Sequence, residues 1–250
     1  MSERWDFYWF VVEDKPCSTM LDLGIADAVP VAERPWLISI RMPLERPRKD
    51  GLCDNDEAKS LGELEDALAL ELARACDAWF VGRMTWNGTR DLFYYARSPD
   101  GLEPALSAAF KGRAPRRLMT RTKQDPEWRH YLDVLYPGPL EWQWMKDRHT
   151  VEKLRERGDR AEVPRPIDHF AYFETQPAAS AFADACRTMG FETSVRPADA
   201  GRGFQVHATR EDPAELAHVN DISCRFLGLA EEHGGSYDGW GCTAVKDSDA

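Results

Sequence analysis

The sequence predicts an α+β protein of two domains: an N-terminal α+β domain with a β-hairpin and helices, and a C-terminal ferredoxin-like βαββαβ two-layer sandwich. Three observations predict it. Apolar residues recur at both the helical and the strand period along the chain. A charged stretch followed by two prolines interrupts the pattern around residue 158. Beyond it the order is strand, helix, strand, strand, helix, strand, each with one apolar face, and two packed layers bury such faces together.

In the first part, Trp5 to Glu13 and Pro35 to Met42 are rich in aromatic and β-branched residues and read as strands. KSLGELEDALALELARAC sets Leu61, Leu64, Leu68 and Leu72 on one face of a helix. WFVGRMTWNGTRDLFYYA is two strand-like runs around Asn87-Gly88, a pair that tolerates the positive φ of a type I′ hairpin turn. A helix is expected from Leu102 to Lys111 and a strand from Arg117 to Thr122. Trp128 to Arg157 reads as mostly helical, broken at Pro137-Gly138-Pro139. Gly158 can end KDRHTVEKLRERGD, and VPRPI cannot continue it. The domains are therefore expected at 1–158 and 159–250.

In the second part DHFAYFE alternates as a strand. Phe182, Ala185, Cys186 and Met189 share a helical face that Gly190 closes. FETSVRPA and FQVHATRE alternate, with Phe191, Thr193 and Val195, and Phe204, Val206 and Ala208, facing inward. Ala200-Gly201-Arg202-Gly203 reads as the turn between them. Asp212-Pro213-Ala214-Glu215 resembles a capping box opening a helix that turns Leu216, Val219, Ile222, Phe226, Leu229 and Ala230 inward. The helix stops at Gly234-Gly235. The open sheet face is expected to carry Glu192, Ser194, Arg196, Gln205, His207 and Thr209.

The last strand holds the most unusual stretch, Tyr237-Asp238-Gly239-Trp240-Gly241. Strict alternation puts Asp238, Trp240 and Cys242 on one side and Tyr237, Gly239 and Gly241 on the other. Glycine inside a strand costs stability and normally marks a bulge or a close backbone approach. Two readings follow: Trp240 packs under a helix, or the bare backbone with Tyr237 and Asp238 forms a docking notch at the sheet edge.

Composition narrows the function classes. The 250 residues are 43% hydrophobic and 30% charged, with a net charge of -11, enough apolar material for buried cores and an unfavourable sign for phosphate backbones or anionic lipid. From Glu162 onward seven Lys+Arg stand against fifteen Asp+Glu, so the second part carries most of the negative excess. No leader-like start or long apolar run occurs, and six scattered cysteines without a Cys-x-x-Cys pair read as buried thiols of a reducing compartment. The expectation is a cytoplasmic protein with no metal and no cofactor. No nucleophile elbow, phosphate-cradling loop or zinc-protease helix occurs. Asp50, Asp54, Asp56 and Glu57 lack calcium-loop spacing. Arg83 and Arg90, which flank the hairpin turn, either clamp an anion or pair with nearby acids. An enzyme in the first domain would need a pocket holding Arg90 or His130.

Gly234-Gly235-Ser236-Tyr237-Asp238-Gly239-Trp240-Gly241, the strand DHFAYFE and the Met189-Gly190-Phe191 junction resemble the regulator of ribonuclease activity B family over about Arg165 to Val245. The first part resembles a family known only as domain of unknown function number six-nine-five. GLCDNDEAKSLGELEDAL, Gly88 to Tyr95, Trp128-Arg129-His130-Tyr131 and Leu135-Tyr136-Pro137 carry that likeness. The first resemblance implies a small acidic bacterial protein that binds the non-catalytic scaffold of ribonuclease E and restrains it. An acidic module meeting a basic scaffold segment is electrostatically sensible. The expected function is thus non-catalytic binding, with Tyr237, Asp238, Gly239, Trp240, Gly241, Arg196 and His207 as candidate interaction residues. The alternatives are single-stranded RNA or a small ligand on the open sheet face, or an uncharacterised enzyme in the N-terminal domain.

Overall fold

The computed structural model of the chain describes residues 4–198 and 203–246. The chain divides into two compact units, Met1–Gly138 and Pro139–Ala250.

The first unit is a six-stranded antiparallel sheet in the order β1-β2-β4-β5-β3-β6. Its strands are β1 (Trp5–Val12), β2 (Lys15–Asp22), β3 (Trp36–Pro43), β4 (Trp79–Trp86), β5 (Thr89–Ala96) and β6 (Met119–Gln124). Helices α1 (Asn55–Cys76) and α2 (Leu102–Ala109) pack against one face. The Asp54 side chain caps α1 by accepting from the Glu57 N–H at 2.7 Å. Leu61, Leu64, Leu68 and Leu72 are buried on Ile38, Ile40, Leu92 and Tyr94. Asn87 and Gly88 both have positive φ (47° and 78°), as a type I′ turn requires. Strand β2 has no counterpart among the expected elements. Its hairpin turn is Glu13-Asp14, also at positive φ (48° and 61°), and Pro16 is the second residue of the strand. Neither is a usual hairpin signal. Pro16 is tolerated because it lies at the start of β2, ahead of Cys17, where pairing with β4 begins.

The second unit begins with α3 (Pro139–Glu156) and continues β7 (Arg165–Phe173), α4 (Gln176–Thr188), β8 (Glu192–Pro197), β9 (Phe204–Asp212), α5 (Leu216–Glu232) and β10 (Gly235–Cys242). The sheet order is β10-β7-β9-β8, antiparallel throughout. This is the ferredoxin-like arrangement, with the first and third strands of the unit, β7 and β9, central and the second and fourth, β8 and β10, at the edges. Phe182, Phe226, Phe173, Phe191 and Val206 make the core between the sheet and helices α4 and α5. Of the turn expected before β9, Ala200, Gly201 and Arg202 lie outside the described residues. Gly203 has φ 78°, and a Cβ there would lie 2.1 Å from the Phe173 carbonyl oxygen.

Two expectations need correction. The boundary falls at Gly138/Pro139 rather than at 158, because α3 buries Met145, Asp147, Val151 and Leu154 within the second unit. The helix expected from Asp212 begins only at Leu216. The Asp212 carboxylate accepts from Arg210 and His218 instead of capping, and the Ala214 N–H donates to Ala161 O. No helix among the described residues is long and apolar enough to cross a membrane.

Candidate functional site

The glycine-flanked tryptophan sits on an edge strand and is shaped by a bulge. Tyr237 pairs with Ala171 and Gly239 with Phe170, so Asp238 is an extra residue without a partner on β7. Gly239 adopts φ 128°, which a side chain would resist. The inserted residue reverses the alternation. Tyr237 and Trp240, three positions apart, both turn toward the helices, contrary to the expectation of opposite faces. Gly239 and Gly241 face the other way, and a Cβ at either would meet nothing within 4 Å. They are therefore not needed for close approach. Gly235 is: a Cβ there would lie 2.2 Å from the Phe173 ring.

Beneath Trp240 lies a buried carboxylate that sequence reasoning passed over. Asp147 of α3 is 1% exposed. One oxygen accepts from Trp240 Nε1 at 2.9 Å and Gln143 Nε2 at 2.7 Å. The other accepts from Asn220 Nδ2 at 2.9 Å and from the Ser223 hydroxyl. All four donors are neutral. Burial outweighs them and raises the Asp147 carboxyl above its usual value. The cluster ties α3, α5 and β10 together. Its only local signal is a helical spacing that sets Gln143 four residues before Asp147.

Tyr237 is likewise structural. Its hydroxyl is hydrogen-bonded to His169 Nδ1 at 2.7 Å, and both residues are buried. His169 lies among Phe191, Phe226 and Tyr237, with Nε2 lacking a partner. Desolvation lowers this imidazole to about 4, so it is neutral near pH 7.

The opposite, open face of the sheet carries interlocked polar and aromatic side chains. His207 Nε2 is 2.6 Å from an Asp168 oxygen, and its ring stacks on Phe170 with centroids 5.2 Å apart. Arg196 Nε donates to Gln205 Oε1 at 2.8 Å, and Gln205 Nε2 donates to the Tyr172 hydroxyl at 2.5 Å. Gly239 and Gly241 pair beside Phe170 and Asp168 and leave their flank uncovered at the sheet edge. Asp238 is exposed at the bulge. Of the candidate interaction residues, Arg196, His207, Asp238, Gly239 and Gly241 are thus available from outside. Tyr237 and Trp240 support them from within, which removes Tyr237 from the expected notch. Phe170 and Tyr172 were missed, because in DHFAYFE they read only as the non-core half of an alternating strand.

The candidates of the first unit resolve separately. Arg83 and Arg90 both bind Glu65, Arg90 at 2.6 Å, under the α1 side of the sheet. They clamp a carboxylate of the chain itself. Asp50 accepts from the Leu52 N–H and pairs with Arg48. Glu57 accepts from the Glu45 and Arg46 N–H groups and from Arg116. Those acids are loop and helix fastenings. Among the described residues no group of three or more His, Cys, Asp or Glu could hold a metal ion. His130 does line a hollow, but on the sheet face opposite Arg90.

Comparison with known proteins follows the same division. The profile described as "Family of unknown function (DUF695)" matches residues 3–136, and that described as "Regulator of ribonuclease activity B" matches 144–242. Curated proteins give no match. Among solved structures, an unknown protein from Galdieria sulphuraria is 13% identical, covering 82% of this chain and 96% of its own, with a TM-score of 0.22. A putative glycine cleavage system transcriptional repressor is 9% identical, covering 83% and 98%, with a TM-score of 0.24. The chain belongs to the DUF695 family of unknown function, joined to a second unit matched by Regulator of ribonuclease activity B.

Proposed function

We propose that this protein regulates ribonuclease activity by binding, and that its second unit docks a basic polypeptide segment of the kind found in the scaffold region of a ribonuclease E-type enzyme. The observation that carries the reading is the family match over 144–242, which begins within the Asp147 helix and takes in every element from β7 to the Trp240 strand. The acidic excess after Glu162 supports it, since opposite charge speeds encounter and selects partners. Asp238, Gly239 and Gly241, with Arg196 and His207 across the sheet, form the contact. Tyr237 and Trp240 hold the bulge that presents it.

The test is calorimetric titration of the full chain with basic scaffold peptides at two ionic strengths. Binding should be measurable at low salt, weaken as salt rises, and fall several-fold for Asp238→Lys. No binding at low ionic strength removes the proposal. Single-stranded RNA on the open face is the competing reading, favoured by the Phe170–His207 stack and by Tyr172. Fluorescence anisotropy with short labelled RNA separates the two: RNA binding without peptide binding selects it.

A further inference from the structure

The face of the first unit's sheet away from α1 and α2 is covered over only part of its area. The segment after β6 packs down there, Trp128 stacking on Tyr95 with centroids 3.8 Å apart and the Tyr131 hydroxyl donating to Asp22 O at 2.6 Å. Beside this cover a cavity of about 460 Å³ opens. Volumes of roughly 300–1,000 Å³ are usual for small-molecule sites.

Strand register builds the lining. Met84, Asp91, Arg41 and Met119 form one cross-strand row. Phe93, Ser39 and Arg121 form the next. Arg41 and Arg121 thus sit diagonally on adjacent strands of one face. Asp91 holds Arg41 by two hydrogen bonds of 2.7 Å, to Nε and Nη2, which leaves Nη1 without a partner. Arg121 has no acidic partner among the described residues, so the rim retains an uncompensated positive charge.

His130 closes one end. Its backbone N–H donates to Asp125 at 2.9 Å, and its ring lies 4.5 Å from Phe93. Nε2 is buried without a hydrogen bond. Burial, and after it the Lys123 charge, lower the imidazole below its usual value and keep it neutral near pH 7. Phe93 on one side of the Asp91–Arg41 row, Trp86 on the other, and the two methionines within it supply the apolar part of the lining. A fixed guanidinium edge and a free guanidinium beside apolar and aromatic side chains together describe complementary chemistry.

We propose that this hollow binds a small organic anion with a flat apolar body, its carboxylate or phosphate received by Arg41 and Arg121 and its body laid against Phe93 beside the His130 ring. The site lies wholly in the first unit and does not depend on the partner proposed for the second.

The experiment titrates the full chain with 2-naphthoate and, separately, adenosine 5′-monophosphate, by calorimetry and by NMR of methyl-labelled methionine. Saturable binding of at least one probe at sub-millimolar concentration is expected, with the Met84 and Met119 methyl signals moving. Naphthoate binding identifies a carboxylate ligand, and monophosphate binding a phosphate ligand. Arg121→Glu, on an exposed edge strand, should weaken binding by about tenfold or more, and Arg121→Lys by less. Absence of binding by both probes up to millimolar concentration overturns the proposal. So does equal affinity for uncharged 2-naphthol, or affinity unchanged in Arg121→Glu.

Discussion

Glu65 in the first unit and Asp147 in the second are both almost fully buried carboxylates, and they are stabilised in opposite ways. Glu65 meets two guanidiniums, Arg90 at 2.6 Å and Arg83. Asp147 meets four neutral donors and, among the described residues, no cation. Desolvation opposes the charge in both cases, but Glu65 recovers it from charge pairing, while Asp147 relies on hydrogen bonds alone. The first arrangement fastens a helix to a hairpin. The second leaves a carboxyl whose ionisation the fold resists.

The largest test of this difference is Glu65→Ala. It strands two arginines beneath α1 and should destabilise the first unit by about 3–5 kcal/mol, read by urea unfolding with hydrogen exchange to locate the loss. Next in size is acidification of the second unit. His169 has a folded value of about 4 against an ordinary 6.5, so the unfolded chain binds more protons between those limits. The stability this neutral ring contributes is complete above pH 6.5 and is lost as pH falls toward 4, by up to about 3 kcal/mol. The Asp212, Arg210, Asp168 and His207 charges act on it as well. His169→Gln should flatten that part of the pH–stability curve; an unchanged slope would refute the assignment. Asp147 acts with the reverse sign. Its folded value is raised above 3.8, so its contribution falls as pH rises from 3.8 through that raised value.

Trp240→Phe keeps the ring packing but removes one donor to the Asp147 carboxylate. A loss of about 2 kcal/mol is expected, as for hydrogen bonds to charged groups, along with a further rise in the Asp147 value measurable by carboxyl NMR. The smallest effects distinguish the two glycines of the strand. Gly239→Ala forces a side chain into φ 128° and should cost about 1–2 kcal/mol. Gly241→Ala meets open space and should stay within about 0.5 kcal/mol. Equal melting temperatures for the two variants would mean that the bulge is not what the first glycine serves.

Much of the fold was legible locally. The leucine stripe of α1, the Asn87-Gly88 hairpin and the alternating strands around Phe191 and Phe204 each announce themselves within one element. The first hairpin was hidden because Glu13-Asp14 is not a usual turn pair and Pro16 argues against a strand. At the candidate site, Arg196 and His207 were assigned to the open face correctly from alternation. Tyr237 was assigned to the wrong one, since a bulge adds one residue and reverses everything beyond it.

The amino-acid order by itself determined most of the helices and strands, though not β2, together with the ferredoxin-like sequence of elements in the second unit and the excess of negative charge there. Those properties depend on neighbours one to four residues away or on simple addition of charges. Only the tertiary structure decided that α3 belongs to the second unit, that Trp240 points at Asp147, and that Arg41, Arg121 and His130 converge on one hollow. Each of these depends on strand register and on donors far apart in the chain, and no local period encodes which carboxylate will be buried or which arginine will be left unpaired.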